Sequence, residues 1–296
     1  MERSDLIHVF DDTQRLCREN QSVSVSLKHS MHATRLYDSD YYPNLRDDSG
    51  KETVAGDKET VCPVSVLPLT TFDAASEAHF SDPACQNDRI GILNFASAVS
   101  PGGGVKHGSR AQEESLCRQS TLYPCLDQKW LCDAYYQPNR NAGDRRNTDA
   151  VIYSPDVLVL KESAEPYQLL PEDKWVQVDV LTCAAPDLRV CEISAFCGQD
   201  GKSIHSMDDQ AFCSLYEKRA EHILHIAAAN HIDTLILGAF GCGAFGNDPN
   251  LAAECWSKAM VKYRKCFYRI IFAVYDPKHA RKSNYDVFCQ EFAAHS

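Results

Sequence analysis

Three successive glycines, Gly102, Gly103 and Gly104, are followed by seven residues and then by Gln112, Glu113 and Glu114, within LNFASAVSPGGGVKHGSRAQEESLCRQSTLY. A glutamate is a natural general acid or base, and a glycine run lets a ligand approach the backbone closely. Adjacent helical residues point about 100° apart, so the two carboxylates cannot do the same job on the same atom. One would hold a substrate while the other moves a proton. Acids in a first helical turn also complement the helix dipole with no chemistry at all, and that reading stays open. The dipole favours ionised carboxylates, whereas a general acid must hold its proton. Burial, repulsion between the pair, or an anionic ligand would restore it to one of them.

A second glycine motif, GCGAFG, places Gly241, Gly243 and Gly246 between an apolar strand and a helix. This is GxGxxG in the context of a dinucleotide fingerprint. It comes late in the chain, with about one strand–helix unit after it. The next strand's acid, Asp276, lies 30 residues beyond Gly246, against about 20 in that fingerprint. The narrower inference is a loop offering backbone N–H groups to a diphosphate, or simply a tight turn needing positive φ. Gly103 to Gly108 has GxxxxG spacing, but Ser109 and Arg110 follow where a phosphate-binding lysine would be needed. A nucleotide-hydrolase loop is therefore excluded.

Elements that would carry these loops alternate along the chain. Ser4 is placed to cap a first helix, and residues 20–59 read as polar and irregular. A strand in ETVCPVSVLPL, a helix capped by Thr70 or Thr71, and a buried strand RIGILNFA precede the first loop. Ser109 and Gln112 have capping-box spacing, starting a helix near Arg110. QPNRNAGDRRNTD reads as a loop, AVIYS, VLVLKE and WVQVDVLTCAA as strands, and residues 186–205 as irregular. A long helix, with Ser206 as cap, is followed by strand TLILGAF, the second glycine loop, a helix, strand RIIFAVYD and a last helix from about Arg281. The alternation predicts a three-layer α/β/α sandwich with a mixed, largely parallel sheet. The expected division is an N-terminal helical or irregular extension, 1–59, packed on a catalytic domain, 60–296.

The chain has 296 residues, 44% hydrophobic and 24% charged, with a net charge of −11. Generic attraction to nucleic acid or anionic membrane is disfavoured, so an anionic ligand must be held locally. No apolar run approaches the ~18 residues of a membrane span. Fourteen scattered cysteines without a CxxC pair, behind an acidic N-terminus, fit an intracellular, cytoplasmic protein with mostly buried free thiols and no metal.

NFASAVSPGGGVKHGSRAQEESLCRQSTLY resembles the signature of microbial-type poly(ADP-ribose) glycohydrolases, whose fold is a macrodomain. The likeness extends to VDVLTCAAPDL and RAEHILHIAAANHIDTLILGAFGCGAFGNDP. The resemblance implies hydrolysis of the O-glycosidic ribose–ribose bonds of poly(ADP-ribose), exo-acting, releasing ADP-ribose without cofactor or metal. It implies Glu114 as catalytic acid/base and Glu113 binding ribose, with Gln112 and Asn94 as further substrate contacts. Gly103, Gly104 and Val105 would line the wall beside ribose and diphosphate; Gly241, Cys242, Gly243 and Ala244 would form the diphosphate loop. Phe245 would pack over the distal ribose and Tyr275 stack on adenine. Partners would be poly(ADP-ribose) or an ADP-ribosylated protein as substrate and ADP-ribose as product, with no membrane and no sequence-specific nucleic acid. The spacer departs from the family in carrying Lys106, His107 and Arg110, which bears on the leaving group accepted. Removal of single ADP-ribose units from protein or nucleic acid, and non-catalytic ADP-ribose reading, are the alternatives.

Overall fold

The computed structural model describes residues 1–45, 62–81, 88–189, 207–276 and 283–293. Among the described residues, seven strands form one sheet in the order β1-β4-β5-β3-β6-β7-β2. They are β1 (Arg35–Tyr37), β2 (Val64–Leu67), β3 (Ile90–Phe95), β4 (Val151–Val159), β5 (Val176–Cys183), β6 (Thr234–Leu237) and β7 (Arg269–Ala273). The pairs β5/β3, β3/β6, β6/β7 and β7/β2 are parallel, while β1/β4 and β4/β5 are antiparallel. The mixed, largely parallel sheet expected from the sequence is therefore present.

Alternate side chains of the central strands feed two separate cores. Ile92, Ile236 and Ile271 point into one, with Phe10, Leu27, Phe72 and Leu116. Leu93, Leu235 and Phe272 point into the other, with Ile223, Trp256 and Phe288. Strands apolar on both faces need helices on both faces, which gives the three layers. Helices α1 (Arg3–Glu19), α2 (Gln21–Ala33), α3 (Thr71–Phe80) and α4 (Gln112–Gln119) supply the first core. Between β3 and β4 follow α5 (Leu122–Leu126), α6 (Lys129–Leu131) and α7 (Gln137–Ala142); α8 (Asp209–Ala229), α9 (Pro249–Met260) and α10 (Asn284–Ala293) cover the opposite face.

Several local expectations are corrected. Helix α1 starts at Arg3, not after Ser4, because the Glu2 N–H donates to Asp5 Oδ2 at 2.7 Å. Residues 21–37 are ordered as α2 and β1: Asn20 caps α2 by accepting the Val23 N–H at 3.1 Å, and Val23, Leu27 and Ser30 form its buried stripe. QPNRNAGDRRNTD contains α7, ended by Gly143 in the left-handed conformation. AVIYS and VLVLKE are one strand, β4, with a bulge between Ser154 and Val157. Thr70 does cap α3, accepting the Asp73 N–H at 3.3 Å. The proposed cap Ser206 lies outside the described residues; α8 is capped by Asp208.

Candidate active site

Strands β3 and β6 are parallel neighbours, so the two glycine loops leave the same end of the sheet side by side. This is where open α/β sheets bind ligands. The loop after β3 leads into α4, and the loop after β6 leads into α9. The ends of β7 and β2 join them. Together they enclose a cleft of 1210 Å³ lined by both loops, both glutamates and Tyr275.

The first loop closes on its own carboxylates. The Gly104 N–H donates to Glu114 Oε1 at 2.8 Å, and the Ser97 N–H donates to Glu113 Oε2 at 2.7 Å. Asn94 Nδ2 approaches Glu113 Oε1 at 3.5 Å and donates to Thr182 Oγ1 at 3.2 Å. The remaining amides are also committed, Gly103 to the Ser100 carbonyl at 3.0 Å and Val105 to that of Gly102 at 3.1 Å. Gly103 has φ +56°, and a Cβ there would lie 2.6 Å from Glu114 Oε1 and 3.0 Å from Glu113 Oε2. Glycine is required at this position twice over, for its backbone and for the space the two carboxylates occupy.

The two glutamates differ in environment although both are buried, at 2% and 7% exposure. Burial pushes the Glu113 carboxyl up to about 8, and the neighbouring Glu114 adds to it, against the hydrogen bonds from Ser97, Asn94 and Gly102. Desolvation thus outweighs both the helix N-terminus and three donors. The direction of the shift favours the protonated form of Glu113. Glu114 has one oxygen fixed by Gly104, while its Oε2 meets no protein hydrogen-bond partner among the described residues. That oxygen belongs to a side chain lining the cleft.

The second loop is organised in the opposite sense. Its ends are tied down: the Asn247 N–H donates to the Gly241 carbonyl at 3.0 Å, and Asn247 Nδ2 donates to that of Pro186 at 2.7 Å. Cys242 N–H closes a turn on the Ala239 carbonyl at 3.1 Å. Yet the N–H groups of Gly241, Gly243, Ala244 and Phe245 donate to no acceptor among the described residues. A Cβ built on Gly243 would meet nothing within 4 Å. Four such amides on a loop that lines the cleft are the arrangement that anion-binding loops present.

Sequence-expected site residues divide accordingly. Glu113, Glu114, Gly103, Gly104, Gly241, Gly243, Ala244, Phe245 and Tyr275 line the cleft, with Tyr275 62% exposed at its rim. Val105 does not, because its side chain is core and its amide is used within the turn. Cys242 does not either, because its amide and thiol both turn toward the loop's own carbonyls. Asn94 is fully buried behind Glu113. Gln112 lines the cleft but is tied down: it donates to Thr71 Oγ1 at 3.0 Å and to the Leu93 carbonyl at 2.8 Å, and accepts the Phe95 N–H at 2.8 Å. Its side chain thus pins α4 to β3 and α3, and the helix begins at Gln112 itself with no box to Ser109. In the spacer, Lys106 pairs with Asp127 at 3.7 Å, away from the cleft, whereas Arg110 lines it and pairs with Glu165 at 2.5 Å.

The sequence reading missed Ser97, whose amide holds Glu113, and Arg189, whose guanidinium lies 5.2 Å from the Phe245 ring centroid. Asp187 pairs with Arg189 at 2.6 Å and Arg145 at 2.8 Å, bracing the β5 end against the second loop. The sequence signal for this brace was APDLR, directly after β5.

No described helix is long and apolar enough to cross a membrane. No curated protein matches the chain. Among solved structures, poly(ADP-ribose) glycohydrolase (PARG) from Thermomonospora curvata matches with a TM-score of 0.78 at 25% identity, covering 97% of this chain and 99% of that one. PARG from Deinococcus radiodurans in complex with ADP-ribose matches with a TM-score of 0.71 at 28% identity, over 91% and 98% of the two chains. A second crystal form of the Deinococcus complex aligns at 31% identity, with the same TM-score of 0.71 and the same coverage, 91% and 98%. The family model for the catalytic domain of microbial-type PARG matches residues 4–162. The fold, the cleft and these matches agree: the chain belongs to the microbial-type PARG catalytic-domain family and is a glycosidase.

Proposed function

We propose that this chain hydrolyses the ribose–ribose bonds of poly(ADP-ribose) from the chain end, releasing ADP-ribose, with Glu114 as general acid/base and Glu113 positioning the ribose. The observation that carries this reading is the state of Glu114: one oxygen fixed by the Gly104 amide, the other buried, without a hydrogen-bond partner among the described residues, and on a side chain in the same cleft as the amides of Gly241, Gly243, Ala244 and Phe245. A terminal ADP-ribose would lay its diphosphate on those amides, which neutralise it without basic side chains. Phe245 would pack on the distal ribose and Tyr275 on adenine.

The scissile ribose then lies against Gly103, between the two carboxyls. Glu113, whose burial favours its protonated form, donates or shares a hydrogen bond with the ribose hydroxyls. Starting from its protonated form, Glu114 gives its Oε2 proton to the departing ribose oxygen as the anomeric carbon gains oxocarbenium character, and the resulting carboxylate takes a proton back from the attacking water. Both carboxyls flank one glycine instead of opposite faces of the bond, which supports a single acid/base over a nucleophile–acid pair. The substrate's own diphosphate supplies the remaining charge stabilisation.

The catalytic unit in this reading is 60–296, with 1–59 as an extension packed on it. Its α1 buttresses the catalytic loop: a Cβ on Gly108 would lie 2.5 Å from the Arg3 carbonyl, and Thr13 Oγ1 donates to the Arg118 carbonyl at 2.5 Å. Product analysis tests the function. Free ADP-ribose accumulating from the first time points, without oligomers, is expected from purified poly(ADP-ribose). Oligomers appearing first would overturn exo action, and release only from mono-ADP-ribosylated protein would replace the polymer as substrate.

A further inference from the structure

Cys213, Glu217 and Cys255 lie outside the ADP-ribose cleft, where α8 packs on α9. Cys213 and Glu217 are i,i+4 neighbours and share one face of α8. Cys255, fully buried on α9, faces them, and the two sulfurs and a carboxylate oxygen all lie within 4.8 Å of one another. We infer that these three side chains form a binding site for a thiophilic divalent cation of the zinc type, joining α8 to α9.

Three observations support the assignment. The donor set is two thiols and a carboxylate, all ordinary zinc ligands. Bonds of about 2.3 Å to sulfur and 2.0 Å to oxygen put tetrahedral ligands roughly 3.5–3.8 Å apart, so closure from 4.8 Å needs only small side-chain rotations. The site also opens on a hollow of 400 Å³ lined by Cys213, Glu217 and Glu254, which leaves room for a fourth ligand from water.

Two thiolates and one carboxylate carry three negative charges against two on the metal. Lys258 lies beside them, its Nζ 3.5 Å from Glu217 and 2.6 Å from Glu254; it is shared with that further carboxylate, so the loaded site stays anionic. The closer contact is to Glu254, so Lys258 remains held when Glu217 turns to the metal. Binding converts two S–H groups to metal-bound thiolates and releases two protons to solvent, with no electron transferred. The 41 residues between Cys213 and Cys255 hide the pair from any short-motif search.

The test uses the full chain, stripped with chelator under a phosphine reductant, and titrated with Zn²⁺ against a chromogenic chelator and with Co²⁺ as spectroscopic reporter. One tight equivalent and a sulfur-to-cobalt charge-transfer band are expected. Cys213→Ser and Glu217→Gln, both at partly exposed positions, should each weaken zinc binding at least tenfold while melting like the wild type. Cys255→Ser should abolish the band, and because that site is core, its result counts only beside the other two. No tight equivalent, or binding and band unchanged in Cys213→Ser and Glu217→Gln, would overturn the site. Peroxide linking Cys213 to Cys255 as fast with saturating zinc as without would overturn it too.

Discussion

The two glycine loops look alike in sequence and differ in where their amides go. The loop at 102–105 turns its N–H groups onto nearby carbonyls and onto Glu114, so it is a holder for the two carboxyls. The loop at 241–246 anchors its ends through Asn247 and leaves four amides open to the cleft. Glycine serves a packing need in one, where a Cβ at 103 meets both glutamates; in the other a Cβ at 243 meets nothing, and the proposed role of that glycine is ligand access. Glycine spacing alone does not distinguish an anion site from a carboxylate holder; the fate of each N–H does.

The sharpest way to break this comparison is through the carboxyls the first loop holds. Glu114→Gln keeps the shape and the Gly104 contact but cannot cycle a proton, so kcat should fall by about 10²–10⁴-fold, the usual share of general acid–base catalysis. Gly103→Ala comes next. Its φ of +56° and its contact with both carboxyls predict lost activity together with a lowered melting temperature. Gly243→Ala should differ in kind: an unchanged melting temperature, with ADP-ribose affinity reduced about tenfold by calorimetry, the scale of ~1.4 kcal/mol for a disturbed charge-assisted contact. Equal losses of stability in both alanine variants would erase the distinction between the loops.

A smaller effect sits in the pH profile. Glu113, raised from 4.5 to about 8, binds its proton more tightly in the folded chain than in the unfolded one. Stability therefore falls as pH rises from about 4.5 toward 8 and levels off above that. Activity should likewise decline as pH passes through about 8 and Glu113 ionises beside Glu114. Glu113→Gln mimics the protonated form; it should retain more activity at pH 7 than Glu114→Gln and lose this alkaline limb. Smallest of all, Tyr275→Ala at the exposed rim should weaken ADP-ribose binding only a few-fold, about 1 kcal/mol or less.

Much of this was legible in the residues. Alternating apolar runs announced the parallel sheet, and GGG before QEE announced a carboxylate site. What escaped had physical reasons. Helix α2 buries a narrow stripe of Val23, Leu27 and Ser30 among polar neighbours, and β1 is three residues long, too short for a periodicity. Gln112 read as a ligand contact or a cap, yet its amide is fully occupied by Thr71, Leu93 and Phe95, partners that only the folded sheet brings near. Which glutamate is desolvated depends on burial, and two adjacent letters cannot encode it. The dipole argument pointed both carboxyls toward ionisation, and for Glu113 desolvation reverses it.

The most direct test of the account is a time course of ADP-ribose release from poly(ADP-ribose) by the wild type and Glu114→Gln, with ADP-ribose binding to both measured by calorimetry. The account predicts release by the wild type, near-complete loss in the variant, and binding preserved in both, because the diphosphate is held by the second loop. Release by Glu114→Gln at the wild-type rate would contradict the role given to that carboxyl, and binding lost together with release would show that the first loop holds the ligand as well as the acid.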